Sequence, residues 1–125
     1  MTRITTHVLD VATGEPAVGL LVRLARLAGD TWLPLGEART DQDGRVSAFT
    51  SPESVRNAGG AVPEPGRGSE PPQYRLSFDA RGYFASSQRA SFYGWIEIAF
   101  YDQGSDHYHV PLLLSPYGYS TYRGR

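Results

Sequence analysis

The sequence predicts an all-β sandwich, and three observations carry the prediction. Short segments of apolar and polar alternation recur along the chain, turn residues separate them, and 125 residues with 40% hydrophobic content and no cysteine fit one compact domain, residues 1–125, held by packing alone. The alternating segments lie at 4–10, 20–27, 32–38, 45–49, 74–79, 95–101 and 107–115. In the first, Thr6 and Val8 face one way and His7 the other. Tyr74, Leu76 and Phe78 oppose Arg75, Ser77 and Asp79, and Ile96, Ile98 and Phe100 repeat the pattern, as half-buried antiparallel strands do. Thr13-Gly14-Glu15-Pro16 and Asp41-Gln42-Asp43-Gly44 supply turns, the second ending in a glycine that can take positive φ before a strand starts at Arg45. The stretch 55–72 is rich in glycine and proline and poor in apolar residues, and reads as a long mobile loop. A single short helix is expected at 83–88, after Arg81-Gly82 breaks the alternation.

Twelve cationic and thirteen anionic side chains leave a formal net charge of −1, so no global field recruits nucleic acid or an anionic membrane. All the positive charge is arginine, a residue suited to bidentate contact with planar anions, although a GC-rich coding sequence accounts for it equally well. The amino-terminal residues are polar and no apolar run approaches the ~18 residues of a membrane span, so a soluble, cytoplasmic protein is expected.

The chemistry concentrates in the last quarter. His107 and His109, two of three histidines in the chain, are one residue apart, so a strand aims both at the same face as Pro111 and Leu113, while Tyr108, Val110, Leu112 and Leu114 fill the core. Such a pair can hold zinc, but a third ligand would have to come from His7 or a distant carboxylate. His7 alone reads as an ordinary strand histidine, and Arg45 as a solvated arginine at a sheet edge. Tyr122-Arg123-Gly124 at the carboxyl end is less ordinary, because ends fray unless tied down, and an aromatic beside an arginine there points to docking.

Taken together these pieces resemble the 5-hydroxyisourate hydrolase family, the enzyme branch of the transthyretin-like proteins. The matching blocks are Thr6-His7-Val8-Leu9-Asp10, Thr40-Asp41-Gln42-Asp43-Gly44-Arg45, Tyr74-Arg75-Leu76-Ser77-Phe78-Asp79 with Tyr83-Phe84, and His107-Tyr108-His109-Val110-Pro111-Leu112-Leu113-Leu114-Ser115-Pro116 leading to Tyr122-Arg123-Gly124. The resemblance implies a transthyretin-like Greek-key β-sandwich of about eight strands with one short helix, assembled as a homotetramer, a dimer of dimers with clefts where dimers meet. It implies hydrolysis of an amide bond in the six-membered ring of 5-hydroxyisourate, a small-molecule substrate, in urate breakdown, without metal or other cofactor. It assigns the catalytic set to His7, Arg45 and His109, and substrate binding to Tyr122, Arg123 and Gly124, with Arg125 expected to join them at the end of the tail. Amide hydrolysis needs a base for water, a donor for the oxyanion and a proton for the leaving nitrogen, and two imidazoles with a guanidinium can supply all three.

Arg125 departs from the family's terminal serine. Activity survives if that side chain is peripheral; otherwise the site is retuned to another cyclic amide, or hydrolysis has given way to binding, as in the small-ligand carriers of the transthyretin branch.

Overall fold

A computed structural model describes residues 2–49 and 71–125. The expected loop at 55–72 lies outside the described residues except for Pro71 and Pro72. Nine strands are present among the described residues: β1 Arg3–Asp10, β2 Glu15–Pro16, β3 Leu21–Ala28, β4 Thr31–Arg39, β5 Arg45–Val46, β6 Gln73–Asp79, β7 Trp95–Tyr101, β8 His107–Ser115 and β9 Gly118–Thr121. β2 and β9 go beyond the seven alternating segments, being too short for a period of two to register. The strand expected at 45–49 ends at Val46.

One sheet runs β2-β1-β8-β9, with β5 also pairing β1; the other runs β4-β3-β6-β7. All of these pairings are antiparallel except β1 with β8, which is parallel and sets Thr5 opposite His109 and His7 opposite Pro111. Alternation along β1 sends Ile4, Thr6, Val8 and Asp10 inward, where they meet Tyr108, Val110, Leu112 and Leu114 of β8. Leu76, Phe78 and Ile96 close the core from the second sheet. Phe78, Phe84, Leu112 and Leu114 are fully buried, each contributing about 1.5–3 kcal/mol by burial.

The single helix among the described residues, α1, spans Ala80–Ser86 and not 83–88. The start signal is Asp79, whose carboxylate accepts from the Gly82 amide at 3.0 Å as an N-cap. Gly82 therefore sits inside the first turn instead of breaking structure. The helix delivers Tyr83 and, just beyond it, Arg89 to the buried Asp10, which accepts from the Tyr83 hydroxyl at 2.9 Å and the Arg89 guanidinium at 2.7 Å. Burial alone would raise the Asp10 carboxyl, but those hydrogen bonds and the Arg89 charge outweigh it and hold the group below the usual carboxylate range. Asp10 thus ties the end of β1 to the helix and to the segment that follows it. No helix among the described residues is long and apolar enough to cross a membrane.

Candidate active site

The outward face of β1, β8 and β5 gathers all three histidines. Thr5 and His7 project from β1, His107 and His109 from β8, and Arg45 from β5, where it is the cross-strand partner of His7. The placement of Arg45 begins in the turn before it. Asp41 accepts the amides of Asp43 at 2.9 Å and Arg45 at 3.0 Å, and these two bonds hold its carboxyl below the ordinary value. Gly44 takes φ of 75°, and a β-carbon there would come within 2.5 Å of the Val8 carbonyl oxygen. Only glycine lets this turn press against β1 closely enough to set Arg45 beside His7.

Behind the imidazoles lies Thr5, 6% exposed, whose hydroxyl is 2.8 Å from Nε2 of His107 and 2.8 Å from Nδ1 of His109. The two rings stand 6.5 Å apart, tilted by 52°. Burial, then the positive fields of Arg45, His107 and His7, push the His109 pKa below that of an ordinary imidazole. His109 is therefore neutral at neutral pH, with one ring nitrogen bare.

The chain's last residues close one side. Gly124 donates its amide to the His109 carbonyl at 2.8 Å, and a β-carbon on Gly124 would lie 2.7 Å from Cδ2 of His109 and 3.2 Å from Cγ of Pro111. Leu112 pairs with Thr121 and His109 with Gly124 in one unbroken register, yet the rung between them is missing. Pro111 has no N–H for Tyr122, and its carbonyl takes the Thr121 hydroxyl at 2.7 Å instead.

A cleft of about 240 Å³ opens here, lined among others by Arg3, Arg45, Ser47, His107, His109 and Arg125. Among the described residues, no Asp or Glu side chain lines it. His7 sits on the same face beyond the cleft wall, within electrostatic reach of His109. Of the residues expected from sequence, His7, Arg45, His109, Gly124 and Arg125 thus come together. Tyr122 and Arg123 do not: they line a separate hollow of about 320 Å³ between the sheets, with Phe100, Tyr108 and Val110. There Arg123 lies 5.1 Å over the Tyr108 ring and donates to Gln103 at 3.2 Å. Alternation does not carry across the broken rung at Pro111, which is why these two side chains escape a face-counting argument. Thr5 is the residue that sequence reasoning misses, since a threonine in a strand reads as an ordinary β-former. Its signal becomes legible only once the β1–β8 register is known. No three His, Asp or Glu side chains among the described residues are grouped to hold a metal ion.

Residues 4–124 match the family model described as HIUase/Transthyretin. The chain is 38% identical to the mouse 5-hydroxyisourate hydrolase, over 97% of this chain and 93% of that protein. It is 43% identical to 5-hydroxyisourate hydrolase 2 of Rhizobium meliloti, over 98% and 95%. The solved structure of Klebsiella pneumoniae 5-hydroxyisourate hydrolase superposes with a TM-score of 0.75 at 33% identity, covering 99% of this chain and 100% of that one. Sea bream transthyretin, solved with thyroxine, shares the fold alone, with a TM-score of 0.76 at 22% identity, over 97% of this chain and 93% of that one. Two packed sheets in this order, one short helix among the described residues and the full-length match together establish that the chain belongs to the HIUase/Transthyretin family, as a transthyretin-like β-sandwich.

Proposed function

We propose that this chain hydrolyses 5-hydroxyisourate, opening the six-membered ring at an amide bond to give 2-oxo-4-hydroxy-4-carboxy-5-ureidoimidazoline in urate degradation. The observation that carries the reading is the convergence of His7, Arg45 and His109 on one face, beside a cleft that no Asp or Glu side chain lines among the described residues. His7 takes the proton from the attacking water. Arg45 stabilises the oxyanion that develops on the carbonyl, His109, neutral in the resting site, holds the substrate edge, and the proton taken up by His7 passes to the leaving nitrogen as the C–N bond breaks. A heterocycle with acidic ring nitrogens suits a cleft rimmed by Arg3, Arg45 and Arg125. Tyr122 and Arg123 serve the cleft at one remove, the contacts of Arg123 with Gln103 and Tyr108 anchoring the tail that carries Gly124 and Arg125.

The working protein in this reading is a single domain over residues 1–125, cytoplasmic, and a homotetramer built as a dimer of dimers, with clefts completed where dimers meet. Purified protein should accelerate the decay of freshly generated 5-hydroxyisourate beyond its spontaneous rate. His7→Ala, Arg45→Ala and His109→Asn should each lose most of that acceleration. Near-native turnover in any two of the three would overturn the proposal.

A further inference from the structure

We propose that Thr5 and His107 form a proton relay behind His109, with the Thr5 hydroxyl setting which nitrogen of His109 faces the cleft without a proton. A hydroxyl has one hydrogen and here touches two ring nitrogens, Nε2 of His107 and Nδ1 of His109, each at 2.8 Å. Two arrangements satisfy both contacts when the rings are neutral. In one, Nδ1–H of His109 donates to Thr5, Thr5 donates to bare Nε2 of His107, and Nε2 of His109 is left as a base. In the other, Nε2–H of His107 donates to Thr5, Thr5 donates to bare Nδ1 of His109, and His109 presents Nε2–H as a donor.

The two arrangements differ by concerted transfer along the line. A proton taken from the cleft by Nε2 of His109 is matched by one passed from its Nδ1 to Thr5, one passed from Thr5 to Nε2 of His107 and one released from Nδ1 of exposed His107 to solvent, so one proton enters the line and one leaves it. His107 is exposed while Thr5 is buried, so the line runs from the cleft through the sheet surface to solvent. Protonating His107 locks the second arrangement, because Nε2 then has a hydrogen to donate. The charged groups facing the pair are Arg3 and His7 from β1, Arg45 from β5, Arg125 from the tail and Asp41 from the turn before β5, whose field falls on His7 and Arg45. Burial, with that preponderance of positive charge, keeps His109 neutral, the state in which a choice of tautomer exists.

Thr5 is a positioning residue in this scheme, and its kinetic consequence rests on the hydrolase reading while its tautomer consequence does not. Nitrogen-15 shifts of the His109 ring should report protonated Nε2 whenever His107 carries a second proton, and a share of bare Nε2 when both rings are neutral. Thr5→Val, similar in size and equally suited to a strand, should remove that dependence. It should also lower kcat about ten- to a hundredfold with KM within about twofold, Thr5→Ser restoring both. His107→Gln should leave the His109 tautomer independent of pH. Identical His109 shifts and titration in wild type, Thr5→Val and His107→Gln would overturn the relay. If the coupling is present but 5-hydroxyisourate is not turned over, the relay stands and the hydrolase reading falls. If 5-hydroxyisourate is turned over and the coupling is absent, the hydrolase reading stands and the relay falls.

Discussion

The two outer faces of the sandwich use arginine in opposite ways. On the outer face of the β4-β3-β6-β7 sheet two arginines are matched: Arg23 pairs with Glu37 at 3.5 Å and lies 4.9 Å over the Trp95 ring, and Arg75 pairs with Glu97 at 3.3 Å and lies 4.6 Å over Trp32. On the other face, Arg3, Arg45 and Arg125 line a cleft with His107 and His109, and none of those arginines makes a salt bridge among the described residues. Neutralised charge on the first face decorates a surface. Charge on the second that no salt bridge among the described residues ties down is poised for a ligand that brings its own negative charge.

That contrast can be broken by mutation. The largest effect should come from Arg45→Ala, which should lower kcat/KM for 5-hydroxyisourate by roughly a hundred- to a thousandfold, about 3–4 kcal/mol of transition-state stabilisation, with the fold intact by circular dichroism. Arg89→Ala removes the guanidinium from the buried Asp10 and should cost about 2–4 kcal/mol of unfolding free energy in denaturant titration. Because the Asp10 pKa is depressed in the folded state, its contribution to stability is present above the unfolded value of 3.8 and is lost as pH falls through the lower folded value. Gly124→Ala must push His109 or the tail aside and should slow turnover about tenfold, with a much smaller change in stability. On the matched face, Arg23→Ala should leave kcat/KM unchanged and cost under about 1 kcal/mol of stability.

His109 adds a pH dependence with a definite sign. Its pKa is lowered on folding, so the unfolded chain binds more protons as pH drops below about 6.5. The stability contributed by the neutral ring is present above that value and declines as pH falls through the folded pKa. Activity that needs neutral His109 should persist to lower pH than an ordinary imidazole would allow, and His109→Asn should remove this acid limb from the stability curve.

Much of the fold is legible in the sequence because a period of two states which side chains share a face. It places His107 and His109 together, sets His7 away from Thr6 and Val8, and puts Tyr108, Val110, Leu112 and Leu114 in the core. A period says nothing about partners, so the parallel pairing of β1 with β8 emerges only in the structure, and with it Thr5 opposite His109. The helix begins earlier than expected because the capping carboxylate of Asp79 outweighs the glycine at position 82. The catalytic assignments come from a resemblance spread over the whole chain. The split of the tail, with Gly124 and Arg125 at the cleft and Tyr122 and Arg123 away from it, depends on one absent amide at Pro111.

Residue distribution allows a single titration to address both faces at once, since all three histidines lie on one outer face and both tryptophans on the other. A stable planar purine-dione anion, added to the labelled protein, should shift the imidazole resonances of His7 and His109 and leave the indole N–H signals of Trp32 and Trp95 in place. Movement of the indole signals with the imidazoles unmoved would place ligand recognition on the matched face and contradict a site built on His7, Arg45 and His109.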